Sequence, residues 1–418
     1  MTLSQRILAA LAGGLVAGVV LGKFGGTVPE ALLPVAKTVG AAWLGGLRMT
    51  IVPLVFVLLV TGVASAADAA RAGGVAGRAL LYFAIGLFAS ALVSGVIIEG
   101  ALSVWPVPAG ALASLGGAPG MPVGSTSISA EWLLSFIPVN PIKSAAEGEM
   151  VPVVLFALLF GFAVTRIDGE YRASLLRTFH GISAALLVIV HWVLWLAPAG
   201  VFALALVAGA TAGVAAAGTL AHYIAIIVAS CVAVTLLVYP VVIVAGRIGI
   251  RRFASAALPA QAIALSTQSS IASLPSMIEA VSGPLEVPEP VRNMVLPMAV
   301  SVFRVTSAAA NMAVALYVAA LHGIPIGPLT FMVGVIVATV VSLAAVGLPS
   351  QVSFFTAIGP VCLAMGVPVE VLPLLLAVET IPDIFRTIGN VTADMAVTRI
   401  IGVRSGNEVP ALDAAPVQ

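Results

Sequence analysis

The chain has 418 residues, 61% hydrophobic and 8% charged, with a net charge of +1 and a mean hydropathy of +1.18. Water-soluble domains carry about 25% charged residues, so the composition excludes a soluble globular protein, and a charge near zero excludes a nucleic-acid footprint. What remains is an all-α polytopic membrane protein.

Apolar segments long enough to span a bilayer occupy roughly 6–23, 40–64, 79–102, 150–166, 180–206 and 219–246. The first follows Met1 with no A-x-A cleavage site before a polar mature start, so it is expected to be retained. Between 103 and 130 the chain is rich in Gly, Pro and Ser, without a Lys or Arg. Basic residues gather instead at Arg6, at Arg71 and Arg78, at Arg166, Arg172 and Arg177, at Arg247, Arg251 and Arg252, and at Arg399 and Arg404. The positive-inside rule places these clusters and both termini in the cytoplasm of a bacterial inner membrane, with Lys23 and Lys37 dissenting on an outside loop. Cys231 and Cys362 fall in apolar runs and are expected to be buried and unpaired. The histidines show no metal-ligand spacing, so no metal site is expected, and only His191, in VIVHWVLW, is considered as an intramembrane proton carrier. Neither G-x-S-x-G nor H-E-x-x-H occurs, so no catalytic residues are assigned and a membrane hydrolase is disfavoured.

The last third reads differently. The sixth span ends inside at Arg252 and Arg399 must also lie inside, so residues 253–398 hold an even number of crossings, yet four apolar stretches occur there, at 254–283, 291–321, 329–367 and 371–401. The first is broken by ALSTQSSIASLP and the third by AAVGLPSQVSFF. Hydrocarbon tolerates such breaks only where protein or water satisfies the freed backbone groups. Both are read as re-entrant helical hairpins whose tips meet near the midplane, leaving eight spanning helices. The two halves also look alike: each has a hairpin with Leu-Pro near its tip (Leu274-Pro275, Leu348-Pro349), then a helix with Phe-Arg (Phe303-Arg304, Phe385-Arg386).

On the final helix Glu379, Asp383, Arg386, Asn390 and Asp394 recur at intervals of 4, 3, 4 and 4. At 3.6 residues per turn they form one narrow stripe about 22 Å long. Charges at that depth cost several kcal/mol each unless they pair or line a polar cavity, so the stripe reads as a binding site. Glu379, close to excess negative charge, is the candidate proton carrier, an Arg-paired or solvated glutamate being the alternative.

These residues resemble the dicarboxylate/amino-acid:cation symporter family, the glutamate-transporter homologues. DIFRTIGNVTAD matches the family's D-x-x-R-T-x-x-N-V-x-x-D core, QSSIASLP its serine-rich first hairpin tip, FIPVNPIKSAAEGEM its segmented fourth helix, and LRMTIVPLVFVLLVTGVAS its second helix. The resemblance implies a homotrimer working by an elevator motion. Its scaffold would be 1–78 (helices 1 and 2) and 132–206 (helices 4 and 5), with 104–131 an extracellular loop. The transport domain would hold helix 3 (79–103), helix 6 (207–252), hairpin 1 (253–290), helix 7 (291–322), hairpin 2 (329–368) and helix 8 (371–402), before a tail at 403–418. It further implies that Arg386 holds a substrate's side-chain carboxylate and Asp383 its ammonium. Asn390, Thr387, Ser307, Ser269 and Ser270 would complete the site, the second tip from Gly347 through Leu348 and Pro349 to Val352 would be the gate, and Asp394 would match a sodium ligand.

The chain departs from the family at helix seven. Where the family has N-M-D-G-T, ungapped counting puts Phe303, Arg304, Val305, Thr306 and Ser307, and sliding the alignment to Asn311-Met312 would put Ala313 at the aspartate. In helix three Phe83, Gly86 and Leu87 replace a tyrosine, a threonine and a serine that assist a sodium. Arg304 is therefore expected to do a sodium ion's work beside Asp394. The expected function is transport of aspartate or glutamate without a cofactor, coupled to protons or to nothing rather than to sodium. A Na⁺- or H⁺-coupled C4-dicarboxylate symporter is the alternative.

Overall fold

The computed structural model describes residues 3–23, 27–71, 74–115, 137–147, 149–344 and 350–405, and all regular structure among them is helical. In chain order, α1 (Leu3–Lys23), α2 (Thr27–Arg71) and α3 (Gly74–Val104) are long, and α4 (Ala111–Ser114) and α5 (Pro141–Glu147) are short. They are followed by α6 (Met150–Val164), α7 (Gly169–Trp195), α8 (Ala197–Ala212) and α9 (Val214–Gly246). The last third contains α10 (Ile250–Thr267), α11 (Ser270–Ser282), α12 (Glu289–Val302), α13 (Val305–Leu321), α14 (Pro328–Ala344), α15 (Ser350–Ala364), α16 (Leu372–Val378) and α17 (Thr380–Ser405). Six helical stretches among the described residues are long and apolar enough to cross a membrane: Gln5–Lys23, Ala31–Ser65, Gly74–Val104, Gly169–Trp195, Val214–Gly246 and Glu289–Leu321. The polar stripe keeps α17 out of that set, although the helix is 26 residues long.

The helices pack as two groups. In the first, α1 lies along α8, and α2 packs on α6, α7 and α8. In the second, α17 is surrounded by α9, α10, α11, α12 and α13, while α3 packs on α13 and α14. Contacts of α2 with α3, α14 and α15 join the groups. The α1–α8 seam depends on small residues at four-residue spacing: a Cβ on Gly18 would stand 2.2 Å from the Leu206 carbonyl oxygen, and one on Gly22 2.7 Å from that of Ala210. On the opposite partner, a Cβ on Gly209 would meet the Leu15 carbonyl oxygen at 2.4 Å.

The serine-rich break in the first hairpin is a two-residue turn. Gln268 takes a left-handed conformation (φ 53°) and Ser269 an extended one, so α10 and α11 fold back on each other. Ser269 Oγ then accepts from the Ala272 N–H at 3.2 Å, capping α11. Beyond the hairpin, Arg252 bonds Glu286 at 2.6 Å and holds that exposed carboxyl below the usual carboxylate range. In the second hairpin α14 and α15 pack together, while 345–349 lie outside the described residues.

Several expectations need correction. The segment predicted as one span over 180–206 is two helices, α7 and α8, meeting at Leu196 ahead of Ala197-Pro198, whose proline cannot donate to the preceding turn. Residues 207–212, assigned with helix six, complete α8. Lys37 is in α2, which starts at Thr27, and not in an outside loop. The 104–131 loop contains the short helix α4. Helix eight is interrupted at Glu379 between α16 and α17, and it runs to Ser405, into the predicted tail. Cys231 and Cys362 are free and buried, as predicted.

Candidate functional site

The stripe on α17 faces inward. Glu379, Asp383, Arg386, Asn390 and Asp394 each expose 3% of their surface or less. Gly389 lets α17 approach this closely: a Cβ there would meet Thr306 Cγ2 at 2.3 Å and Thr235 Oγ1 at 2.4 Å. On the flank, Gln261 of α10 donates to Thr392 Oγ1 at 2.8 Å and to Tyr239 Oη at 3.1 Å.

Arg386 is held inside the protein. Its Nη2 donates to Glu379 Oε1, and its Nη1 lies 3.6 Å from Asp383 Oδ1. The second oxygen of Glu379 accepts from Tyr223 Oη of α9 at 3.1 Å. In this structure a protein carboxylate therefore occupies the place expected for a substrate carboxylate, and Glu379 is Arg-paired. The satisfaction is incomplete. Among the described residues, Asp383 Oδ2, Arg386 Nε and Asp394 Oδ1 are buried with no hydrogen-bond partner. Native interiors leave few such groups, so each calls for an explanation.

Helix seven is broken beside this stripe over two residues, Phe303 and Arg304. Phe303 (φ −89°, ψ 65°) centres an inverse γ-turn in which Arg304 N donates to the Val302 carbonyl at 3.1 Å. Val305, Thr306 and Ser307 already belong to α13. Asn390 Oδ1 accepts from Thr306 N at 3.0 Å, its Nδ2 donates to Ser307 Oγ at 3.1 Å, and Thr306 Oγ1 lies 2.5 Å from the Arg386 carbonyl and 2.7 Å from Asn390 Oδ1. Asn390 and Ser307 thus bond each other in this structure and join the two helices. Arg304 is half-buried just ahead of α13.

The positions read as lost sodium ligands form an apolar plug. Phe83 and Phe303 stack with centroids 4.9 Å apart, and Leu87 is fully buried. A Cβ on Gly86 would stand 2.6 Å from the Phe303 ring, so the phenyl group fills the space that a larger helix-three side chain would need.

The remaining predicted residues are more dispersed. Thr387 is buried and donates to the Asp383 carbonyl within its own helix at 2.8 Å. Ser269 and Ser270 are half-buried at the first tip. Gly347, Leu348 and Pro349 lie outside the described residues, and the side chain of Val352 likewise. His191 is exposed on α7, its Nδ1 2.6 Å from the Leu187 carbonyl oxygen of its own helix. Sequence reasoning missed Tyr223 and Thr306 as partners of the stripe. For Tyr223 a signal existed: His222-Tyr223 is a polar pair in the otherwise apolar α9.

A family model described as the sodium:dicarboxylate symporter family matches residues 3–403. The chain is 25% identical over 409 residues to the proton/glutamate-aspartate symporter of Escherichia coli (strain K12), covering 96% of this chain and 92% of the relative. It is 26% identical to the proton/sodium-glutamate symport protein of Bacillus subtilis (strain 168), covering 97% and 95%. A C4-dicarboxylate transport protein of Solibacter usitatus (strain Ellin6076) is 28% identical over 65% of this chain and 62% of the relative. With a family match over nearly the whole chain, it belongs to the sodium:dicarboxylate symporter family and is a membrane transporter, not an enzyme.

Proposed function

We propose that the protein carries an acidic amino acid, aspartate or glutamate, together with protons, and that Glu379 and the substrate alternate on Arg386. The observation that carries this reading is the pair of buried atoms with no partner among the described residues, Asp383 Oδ2 and Arg386 Nε. An acceptor and a guanidinium donor one turn apart suit the ammonium and a carboxylate of one small zwitterion. A plain dicarboxylate has no group for Asp383.

Glu379 supplies the coupling. While it is ionised, Arg386 is satisfied within the protein. A proton on Glu379 cancels the ion pair and releases the guanidinium for a substrate carboxylate. Binding then takes up a proton, and acidification strengthens it. The names of the Escherichia coli and Bacillus subtilis relatives, both of which include protons, support this reading.

Arg304 stands in for a sodium ion: a tethered charge that does not deprotonate offsets Asp394 without a free cation. The apolar plug of Phe83, Gly86 and Phe303 supports the loss of that ion's ligands. We assign α3 and α9–α17 to the moving unit of an elevator, and α1, α2 and α5–α8 to a trimeric scaffold in a bacterial inner membrane with both termini in the cytoplasm. Exposed Tyr171, Trp192 and Trp195 on α7 support a face turned to lipid or to another subunit.

Isothermal titration with aspartate, glutamate, succinate and malate, in choline and in sodium buffers at two pH values, tests this. The amino acids are expected to bind more tightly than the dicarboxylates, with little dependence on Na⁺ and higher affinity at the lower pH. Tighter succinate or malate binding overturns the role given to Asp383 and selects the C4-dicarboxylate alternative. A steep fall in affinity without Na⁺ overturns the role given to Arg304.

A further inference from the structure

We propose that His222 is a second proton-binding site, on the side of the membrane where the loop after α3 emerges, connected to the Arg386 site by an aromatic ladder. The inference rests on the proton-coupled reading above and adds a second group that takes up a proton.

His222 is 3% exposed, in the first third of α9. It forms one wall of a cavity of about 340 Å³ also lined by Trp105, Ala111, Ala215 and Thr219. Its ring lies nearly perpendicular to that of Trp105, with 4.4 Å between centroids. The indole itself is half exposed, at 52%, so the ladder begins at the surface.

Counting protons shows how the site works. Nε2 lies 3.2 Å from the Trp105 carbonyl oxygen, which only accepts, so Nε2 carries a hydrogen. Nδ1 lies 3.0 Å from Tyr317 Oη, and that hydroxyl is also 3.3 Å from the Thr219 carbonyl oxygen. In the neutral ring, Tyr317 donates its hydrogen to Nδ1. When one proton arrives from the outer solution, Nδ1–H donates to Tyr317 Oη, and the tyrosine hydrogen swings to Thr219. One proton is added and no buried donor is left unsatisfied, so neither state carries the cost of a stranded polar group. A histidine packed only for structure needs one of these arrangements. This one has both.

The ladder continues inward. The His222 and Tyr317 rings are 5.6 Å apart and those of Tyr317 and Tyr223 are 5.2 Å apart, and Tyr223 donates to Glu379 at 3.1 Å. The other charged or titratable groups that elements packed against α9 bring toward this end of it are Arg386 and Asp383 of α17, which flank Glu379 beyond Tyr223, Glu99 on α3, Lys23 at the end of α1, and His322 at the end of α13, whose Nδ1 lies 2.9 Å from the Val318 carbonyl oxygen. The packed faces of α4, α8 and α16 carry no titratable side chain, and the Arg251 and Arg252 of α10 lie at the opposite end of α9. Among the described residues, the polar contacts of the ring are therefore Tyr317 and Trp105, with no carboxylate to fix its charge.

The test uses the full-length protein in lipid nanodiscs. The imidazole resonance of His222, assigned by its loss in His222→Gln, is followed while the buffer is acidified from about pH 8 to about pH 5 and is expected to move. Aspartate titrations in two buffers of different ionisation enthalpy are expected to show fewer protons taken up per aspartate by His222→Gln than by wild type. A resonance that does not move over that range, or an unchanged proton count in the variant, overturns the proposal. If His222→Gln does not fold, the resonance is assigned instead in a variant carrying His180→Gln, His191→Gln and His322→Gln, which leaves His222 as the single histidine of the chain; adding Tyr317→Phe must then alter the pH response of that resonance, and an unaltered response overturns the proposal. Wild-type protein that binds no aspartate would refute the proposed function, while the resonance would still decide the case of His222.

Discussion

The seam between α1 and α8 and the seam between α17 and α13 are both close helix contacts, built from opposite chemistry. In the first, Gly14, Gly18 and Gly22 bring backbone against backbone, and a Cβ on Gly14 would stand 2.6 Å from the Phe202 carbonyl oxygen. Such contacts gain through van der Waals packing, the main source of attraction where lipid is as apolar as the side chains. In the second, one glycine, Gly389, permits approach, and Thr306, Ser307 and Asn390 make directed hydrogen bonds across it. The glycine seam fixes a position and has nothing to exchange with a ligand. The polar seam leaves Asp383 Oδ2 and Arg386 Nε unmet, atoms that a bound molecule can satisfy. The first seam is closed by packing alone, while the second has buried polar atoms beside it with no partner among the described residues.

Arg386→Ala attacks the comparison hardest. Removing one member of a buried ion pair costs about 3–5 kcal/mol because its partner is left uncompensated, and here Glu379 and Asp383 both remain. Uptake of acidic amino acids should be lost and the melting temperature should fall steeply. Adding Glu379→Gln should recover much of the stability without recovering uptake. Uptake that survives in Arg386→Ala would remove this residue from the site. Next comes Gly18→Ala, which forces a methyl to 2.2 Å from the Leu206 carbonyl oxygen. Overpacking of this kind costs about 1–3 kcal/mol. Thermal stability should drop while aspartate affinity stays at the wild-type value, and an affinity that moved with stability would break the separation between the seams.

Tyr223→Phe keeps the ring packing and removes one hydrogen bond to a charged group, a contribution of about 1.5–3 kcal/mol at most, so its effect on stability should be no larger than that of Gly18→Ala. Loss of that donor disfavours the ionised form of Glu379, so the pH profile of aspartate uptake should move to higher pH. A profile identical to wild type would detach Tyr223 from the coupling. The smallest effect is expected for Arg48→Ala. Arg48 of α2 bonds Glu370, ahead of α16, at 2.7 Å, and both side chains are more than a third exposed. Exposed pairs are worth about 0–1 kcal/mol, so melting should be nearly unchanged, and a large drop would show that this bridge between the two helix groups is better shielded than its exposure indicates.

Much of the fold was legible from the chain. Composition alone set the membrane class, and a serine-rich break inside an apolar run located the Gln268-Ser269 turn, because hydrocarbon does not tolerate unpaired backbone. The backbone break at Phe303-Arg304 was not predicted, since residues 291–321 read as one apolar span. The division at Leu196 was not legible: Ala197-Pro198 lies in an unbroken apolar run, and a proline at the start of a helix is also compatible with continuing it.

By itself the sequence determined that Glu379, Asp383, Arg386, Asn390 and Asp394 share one helical face, and that this face had to be buried against protein. Both follow from local quantities, the 3.6-residue period and the cost of charge in hydrocarbon. Only the tertiary structure decided which groups meet that face. Tyr223 reaches Glu379 across 156 residues of chain, and Thr306 reaches Asn390 across 84. It also decided that Arg386 is held by the protein's own Glu379. Such pairings depend on how each helix is rotated about its axis when it packs, and that rotation is set by the shapes of all the neighbouring helices together, which no stretch of sequence encodes locally.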